Sequence, residues 1–378
     1  MRLARFCLLI IAVTSIVASV ACDDPGRGPE SISFLGAESD PAEWPSATPS
    51  SVGMNEQRLA NMWSNLDATP EHGLHSLLIV RHGRLVAEHY WAGFHSGVGH
   101  DLRSATKSLT SLLTGIAIDR GALRGVSEPV FPLLAVQYPV VGALDPRKGD
   151  VTVEHLLHMQ SGLACDDWFS GSPGNERNMY PTRDWVRFFL DLPLIRPPGE
   201  STLYCTAGVV TLGRVVAEAT NQPIPDFSRD ALFAPLGIAQ FRWSMFDDGR
   251  QTDTGGHIYL RPRDMAKIGQ LVLQRGQWKG RQIVSASWID RSTTEHVLLP
   301  GFQPYGYLWW IHTIAYGTRQ LRYVAAQGNG GQMIMIVPEL DLVVVSTAGN
   351  YDDDKTNSPL RILENRIIPA VEDSAQQP

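Results

Sequence analysis

The chain has 378 residues, of which 43% are hydrophobic and 19% are charged. That is enough apolar material for one large core, or for two lobes that share a site. The formal net charge of -7 leaves no basic surface of the kind that nucleic-acid-binding proteins use, so no nucleic-acid partner is predicted. No internal repeat of roughly 20–50 residues is present, which argues against solenoids and propellers.

The N-terminus is typical of an export signal. Arg2 and Arg5 supply positive charge, and an apolar run with a few hydroxyl residues follows them. A membrane anchor is the alternative, but the run is short for a spanning helix. We predict a signal peptide at residues 1–21 and an exported protein, either periplasmic or anchored to a membrane. Cys22 is a candidate lipid-modified tether, although Ser19 departs from the usual lipoprotein pattern.

The segment after the signal changes in composition. Residues 22–50 are rich in Asp, Pro, Ser and Gly and predict a flexible tether, with the folded domain at residues 51–372. Only Cys165 and Cys205 belong to the folded part. In an exported domain they could form a disulfide, and two separate buried thiols are the alternative. Cysteines and histidines are not spaced as zinc ligands, so neither a metal nor another cofactor is predicted.

The hydrophobic pattern predicts helices and strands in an order that defines the fold class. The predicted elements are, in chain order, a helix at 55–66, strands at 75–81 and 84–90, a helix at 104–123, short helices across 125–245 that include one at 206–220, a helix at 263–275, strands at 305–312, 321–326, 332–337 and 342–347, and a helix at 359–371. The strand at 342–346 is apolar on both faces, as central strands are. Strands near both chain ends around a helical insertion predict an α+β architecture with a cleft between lobes.

Ser104 and Lys107 form a Ser-x-x-Lys pair at the start of a predicted helix. Residues three apart lie on one face of a helix, so the hydroxyl and the amine can meet. A serine needs a base before it attacks a carbonyl, and a lysine can be that base when burial keeps it uncharged. If Ser104 opens the helix, its N–H is also unpaired and can face an oxyanion. A surface lysine near a capping serine would give the same pattern, but Lys107 lies in an otherwise apolar run.

Tyr204 lies between a Pro-Gly turn and the predicted helix at 206–220. A tyrosine on such a corner can point its hydroxyl into a cleft and relay protons beside a lysine. The alternative is a core tyrosine whose hydroxyl is satisfied within the protein.

A glycine-rich segment precedes the predicted strand at 332–337. It contains Asn329, Gly330 and Gly331 and ends at Gln332. Glycines beside a strand usually mark a close approach of the backbone to another group. A strand edge with free N–H groups near a nucleophile can complete an oxyanion hole. A loose hairpin turn is the alternative.

These three segments, in this order, resemble the serine β-lactamase and penicillin-recognising superfamily. The similarity is greatest to its class C-like branch of esterases and 6-aminohexanoate-dimer hydrolases, and it spans roughly residues 50–370. It includes Leu-Leu-His-Met-Gln-Ser-Gly-Leu at 156–163 and Tyr-Gly-Tyr-Leu-Trp-Trp at 305–310. The resemblance implies a β-lactamase/transpeptidase-like fold, with an antiparallel sheet flanked by helices and a mainly helical lobe inserted at about 125–245.

The resemblance also implies roles for the motif residues. Ser104 would be the acylating nucleophile, and Lys107 and Tyr204 would be the base and the proton relay. The N–H of Gln332 would be the second oxyanion donor beside that of Ser104, with residues 329–331 forming the adjoining substrate-binding segment.

Two further segments, Cys-Asp-Asp-Trp and Tyr-Cys-Thr, are similar to the amide-hydrolase branch and imply that Cys165 bonds Cys205. Asp166 and Asp167 could bind a substrate amine, although adjacent acids in a loop are usually solvated.

Two departures from the penicillin-recognising pattern bear on the substrate. Thr206 stands in place of an Asn, and residues 329–331 stand in place of Lys-Thr-Gly. A neutral Asn cannot pair with a penicillin carboxylate as an ammonium would. The prediction is therefore a serine hydrolase that cleaves a small ester or a linear amide. β-Lactamase or cell-wall D,D-peptidase activity, and a non-catalytic exported binding protein, are the alternatives. No oligomeric state is predicted.

Overall fold

The computed structural model of the chain describes residues 30–34, 44–139, 145–247 and 249–372. The predicted signal peptide and Cys22 lie outside the described residues. The strands are, in chain order, β1 (Ser31–Ser33), β2 (Leu74–Arg81), β3 (Arg84–Tyr90), β4 (Val98–Asp101), β5 (Arg242–Trp243), β6 (Met245–Phe246), β7 (Gln251–Thr252), β8 (Ile258–Leu260), β9 (Gln277–Trp278), β10 (Arg281–Gln282), β11 (Val297–Leu299), β12 (Gln303–Tyr305), β13 (Trp310–Tyr316), β14 (Arg319–Gly328), β15 (Gln332–Val337) and β16 (Leu342–Ala348).

Most of the helices lie, in sequence, between β3 and β11. They are α1 (Glu56–Asp67), α2 (Thr106–Asp119), α3 (Val130–Leu134), α4 (Val153–Leu157), α5 (Glu176–Met179), α6 (Trp185–Asp191), α7 (Thr206–Thr220), α8 (Ile224–Ser228), α9 (Pro262–Leu273), α10 (Ala286–Ser292) and α11 (Ser358–Ile362). Among the described residues, no helix is both long enough and apolar enough to cross a bilayer.

An eight-stranded antiparallel sheet forms the centre of the fold. Its order is β11-β12-β13-β14-β15-β16-β2-β3, so strands from both ends of the chain pair side by side. Every residue of β16 is buried, which confirms the prediction of an interior strand. The predicted β2–β3 hairpin is also confirmed. Its turn residues His82 and Gly83 have φ of 52° and 67°, as a two-residue type I′ turn requires.

The two faces of the sheet support separate cores. On β16, Val343 and Val345 face the core that contains α2, α9 and the helices of the 130–233 region. Leu342 and Val344 face a second core, built with α1 and the C-terminal helical segment. The alternation follows from the two-residue period of a strand. Helix α2 is buried on nearly all sides, and its N-terminus reaches the edge of the cleft.

Part of the predicted tether belongs to the folded domain. β1 pairs antiparallel with β4 and joins a small sheet of order β1-β4-β8-β5. Trp44 is only 4% exposed, and its ring meets the edge of Trp278 at a centroid distance of 5.9 Å. A backbone ladder and a buried indole hold these residues, neither of which their polar composition indicated.

Three predicted elements differ in detail. The helix predicted at 104–123 begins with a 3-10 turn and ends at Asp119, shortly before Gly121 with φ of 72°. The strand predicted at 305–312 is two strands, because Leu308 adopts φ of 63° and residues 306–309 form a turn. The closing helix predicted at 359–371 is α11 followed by a π-helical turn and a 3-10 turn, the last of which contains Pro369.

Candidate active site

Ser104 lies in the 3-10 turn Arg103–Ala105 that leads into α2. Arg103 has φ of 49°, a left-handed conformation that a non-glycine residue adopts only when its surroundings hold it there. Asp101 supplies that support, because its Oδ1 accepts a hydrogen bond from Arg103 N at 3.0 Å. Its Oδ2 lies 2.7 Å from Nδ1 of the buried His257. The turn that carries Ser104 is therefore held by the Asp101–His257 ion pair, which no sequence motif indicated.

Lys107 is buried directly beneath Ser104. The side chain is 1% exposed, and its Nζ lies 3.2 Å from Ser104 Oγ. The same nitrogen lies 3.0 Å from Thr206 Oγ1 and 2.5 Å from the carbonyl oxygen of Gly255. The i, i+3 spacing predicted this meeting, and the amine is held away from bulk solvent with the serine hydroxyl within reach.

Tyr204 packs beside this pair. Its ring centroid lies 5.0 Å from Lys107 Nζ, and the residue is 6% exposed. Trp168 stacks on it at a centroid distance of 5.0 Å and an interplanar angle of 7°, and Trp310 lies at 6.2 Å. Ser104 and Tyr204 line one cleft of about 700 Å³. The structure thus brings all three predicted catalytic residues together at a cavity of small-molecule size.

The end of β14 lies against the Arg103–Ala105 turn. A Cβ atom on Gly328 would be 2.2 Å from Leu102 O and 3.1 Å from Ala105 N, so only glycine permits this approach. Asn329 follows it and lines the cleft. No described residue accepts a hydrogen bond from the main-chain N–H of Asn329 or of Ser104. These two N–H groups are candidates for an oxyanion site.

The structure corrects the position predicted for the second oxyanion donor. Gln332 is fully buried away from the cleft, and its side chain pairs with the main chain of Ala348 through bonds of 2.6 and 3.0 Å. Gly330 and Gly331 have φ of 90° and 96° and turn the chain toward the segment after β16, where a Cβ on Gly330 would be 2.6 Å from Tyr351. The hairpin is short, so the strand edge beside the nucleophile ends before these residues.

Two carboxylates lie behind the lysine. Asp167 Oδ2 accepts a hydrogen bond from Thr206 N at 2.6 Å, and its Oδ1 accepts one from Glu176 N at 2.8 Å. Thr206 Oγ1 in turn lies 3.1 Å from Glu176 Oε2. Burial and the negative charge of Glu176 raise the pKa of Asp167 to about 7, against the opposing effect of Lys107. A hydrogen-bonded chain thus runs from the lysine through the threonine to a carboxylate.

The loop before Trp168 separates the roles of two adjacent acids. Asp167 lines the cleft, whereas Asp166 caps a turn by accepting a hydrogen bond from Trp168 N at 2.9 Å. The predicted disulfide between Cys165 and Cys205 is present, with the two Cα atoms 5.4 Å apart. It joins this loop to the corner that carries the tyrosine, so both walls of the cleft are covalently linked.

Residues 66–364 match the family model described as Beta-lactamase. The chain belongs to the beta-lactamase family. It is therefore a hydrolase of this family, with the fold class predicted from the sequence.

Individual relatives agree with the family assignment. The chain is 23% identical over 329 residues to the 6-aminohexanoate-dimer hydrolase of Paenarthrobacter ureafaciens, a match that covers 82% of this chain and 81% of that protein. A Bacillus anthracis structure provisionally assigned as a 6-aminohexanoate-dimer hydrolase superposes with a TM-score of 0.68 and 20% identity, covering 86% of this chain and 87% of the other. The structure of the penicillin-binding protein of Bacillus halodurans superposes with a TM-score of 0.61 and 17% identity. That match covers 79% of this chain and 99% of the other. At these identities the two structures establish the fold.

Proposed function

We propose that this member of the beta-lactamase family cleaves a small ester or a linear amide through an acyl-enzyme on Ser104. The observation that carries the proposal is the buried Lys107 amine, 3.2 Å from the serine hydroxyl at the floor of the cleft. A serine becomes an effective nucleophile when an adjacent base takes its proton. The substrate class is a small molecule, because the cleft holds about 700 Å³.

The proposed reaction proceeds in two halves. Lys107 Nζ accepts the proton of Ser104 Oγ as the oxygen attacks the carbonyl carbon. The N–H groups of Ser104 and Asn329 hold the resulting oxyanion. The intermediate collapses, and the alcohol or amine leaves with a proton supplied by the lysine through the hydroxyl of Tyr204. Water then attacks the acyl-enzyme. Its proton passes through Tyr204 and Lys107 to Ser104 Oγ as the bond between the acyl group and the serine breaks, and the acid is released.

Two features favour esters and linear amides over β-lactams. The Thr206 hydroxyl is engaged between Lys107 and Glu176, so it offers no amide to a substrate acylamide group. A penicillin carboxylate also needs a nearby cation. His312 lines the strand side of the cleft, but burial lowers the pKa of His312 to about 4, and the imidazole is neutral at pH 7. Arg177 is cationic and lines the cleft, but it lies in α5. It is not in the β14–β15 hairpin, where residues 329–331 stand in place of Lys-Thr-Gly.

The test combines active-site labelling with a substrate panel. A fluorophosphonate probe should label the wild-type protein and not Ser104→Ala. Ser170→Ala is the matched control, because Ser170 lines the same cleft without a bond to Lys107, and it should label normally. p-Nitrophenyl esters, short linear amides and nitrocefin are then compared. Hydrolysis of nitrocefin faster than of any ester or amide would favour the β-lactamase alternative, and no labelling at all would favour a non-catalytic binding protein.

We also propose that the protein is exported. The charged and apolar pattern of residues 1–21 supports this, and a disulfide such as Cys165–Cys205 persists in oxidising compartments. The intact mass of protein from periplasmic and membrane fractions should show cleavage before Cys22, with added lipid mass in the membrane fraction if Cys22 is the anchor. Full-length protein that stays in the cytoplasm would contradict export.

A further inference from the structure

We propose that Glu30, His75 and His100 form a binding site for a divalent transition metal, with Zn²⁺ as the reference ion. The three residues come from separate parts of the chain. Glu30 directly precedes β1, His75 lies in β2 and His100 lies in β4. Their potential ligand atoms all lie within 4.8 Å of one another, and none of the three lines the cleft beside Ser104.

The spacing of the ligand atoms fits a tetrahedral ion. His75 Nδ1 lies 3.0 Å from His100 Nε2 and 3.4 Å from Glu30 Oε1, and the third edge, from His100 Nε2 to Glu30 Oε1, is 3.7 Å. Zinc binds imidazole nitrogen and carboxylate oxygen at about 2.0–2.1 Å, which places tetrahedral ligand atoms roughly 3.3–3.4 Å apart. The observed separations bracket that value, so an ion can enter with small side-chain adjustments.

The His100 imidazole is already oriented for coordination, whereas His75 Nδ1–H donates to His100 Nε2 and must lose its proton to bind an ion. His100 Nδ1 lies 3.0 Å from the carbonyl oxygen of Asp101, so this nitrogen carries the proton and Nε2 presents its lone pair to the site. Phe94 stacks on the His75 ring at a centroid distance of 3.9 Å and holds its plane.

Gly349 borders the site without a side chain. A Cβ atom there would lie 3.0 Å from His75 Cε1 and 3.2 Å from Glu30 Oε1, so a larger residue would crowd the ligands. Two imidazoles and one carboxylate favour Zn²⁺, Ni²⁺ or Cu²⁺ over Mg²⁺ and Ca²⁺, which prefer oxygen ligands.

The site would fasten the N-terminal segment to the domain. Glu30 is the first described residue, and β1 after it is a strand of three residues on the edge of the small sheet. An ion that bonds Glu30 to β2 and β4 closes this edge against the main sheet. Binding to the folded state alone raises the melting temperature by mass action.

The experiment measures metal stoichiometry on the full-length protein in a Cys7→Ser, Cys22→Ser background, which removes those two thiols as competing ligands. After dialysis against EDTA, Zn²⁺ binding is followed by calorimetry and elemental analysis, and Co²⁺ absorption reports tetrahedral coordination. The wild-type background should bind one equivalent and gain melting temperature, and Mg²⁺ should do neither.

Variants separate a metal site from a simple hydrogen-bonded histidine pair. His100→Gln should abolish stoichiometric binding, and Glu30→Gln should weaken it by at least about tenfold. His82→Gln is the control, because His82 pairs with Asp341 at 2.7 Å without a second imidazole, and it should bind as the background does. Absence of one-to-one binding in the background protein, or equal binding in His100→Gln and His82→Gln, would overturn the proposal. Because Glu30→Gln keeps the shape of a side chain that is 36% exposed, it remains informative if His100→Gln fails to fold.

Discussion

Replacement of Asp167 by Asn should remove a large part of the pH dependence of stability. The folded protein holds the pKa of Asp167 at about 7, against an ordinary value of 3.8, because the carboxyl is buried beside Glu176. Between those values the folded protein keeps a proton that the unfolded chain has lost. Unfolding therefore releases a proton, and a rise in pH favours the unfolded state. The stabilisation is complete below about pH 4 and is lost as the pH rises through 7.

The magnitude follows from the size of the pKa difference. At about 1.4 kcal/mol for each pH unit, a rise from 3.8 to about 7 corresponds to about 4 kcal/mol. Asp167 lines the cleft and is not fully sealed, so solvent screens part of this effect and we expect about 2 kcal/mol. Urea unfolding at pH 4.5 and pH 7.5 gives the quantity directly. The wild-type free energy of unfolding should fall by about 2 kcal/mol more than that of Asp167→Asn between the two conditions.

Two further variants test the cause. Asp166→Asn changes the adjacent acid, whose Oδ1 accepts from Trp168 N, and Asn can keep that hydrogen bond, so the wild-type pH dependence should persist. Glu176→Gln removes a charge that adds to burial in raising the pKa of Asp167, so the loss of stability should be smaller and should be complete at lower pH. Parallel curves for the wild type and Asp167→Asn would refute the reasoning.

Three other changes test the base, the strand contact and the disulfide. Lys107→Met should lower kcat/KM for the best ester at least about 100-fold, whereas Lys148→Met, which removes another buried lysine bonded to a main-chain oxygen, should cost stability and spare activity; equal activity losses would argue against a base. Gly328→Ala places a Cβ 2.2 Å from the main-chain oxygen of Leu102, beside the turn that carries Ser104. Steady-state kinetics should show a lower kcat while the far-UV circular dichroism spectrum is unchanged. An unchanged kcat would mean that the turn moves freely. The bond between Cys165 and Cys205 closes a loop with a sequence separation of 40, so reductant should lower the free energy of unfolding by about 4 kcal/mol, and a Cys165→Ser, Cys205→Ser protein should not respond to reductant.

Local rules were enough to predict that the side chains of Ser104 and Lys107 meet. Ser104 and Lys107 are three residues apart, and helix geometry alone brings their side chains together. Tyr204 is distant in sequence, and the order of the motifs, through the family resemblance, placed it beside them. The same resemblance paired Cys165 with Cys205, and the structure contains that bond.

The sequence failed where the outcome depends on a turn or on contacts between distant segments. Gln332 was predicted as an oxyanion donor because its glycine-rich neighbourhood was recognised, but the point at which the hairpin leaves the strand edge is set by backbone geometry, and Asn329 lines the cleft while Gln332 is buried outside it. The Glu30, His75 and His100 cluster has no ligand spacing in the sequence, because strands β2 and β4 from two sheets and the residue before β1 assemble it.

Thr206 stands where the penicillin-recognising pattern has an Asn, and this difference limits what the cleft can recognise beside Lys107. Its hydroxyl has a single hydrogen, and Glu176 Oε2 lies 3.1 Å away to receive it, while the lone pairs face Lys107 Nζ at 3.0 Å. Glu176 Oε2 also accepts from the Tyr180 hydroxyl at 3.0 Å, so the network is completed within the protein. The Thr206 position therefore offers a substrate no side-chain amide, and the neighbouring wall of the cleft presents the indole of Trp168, which is 49% accessible.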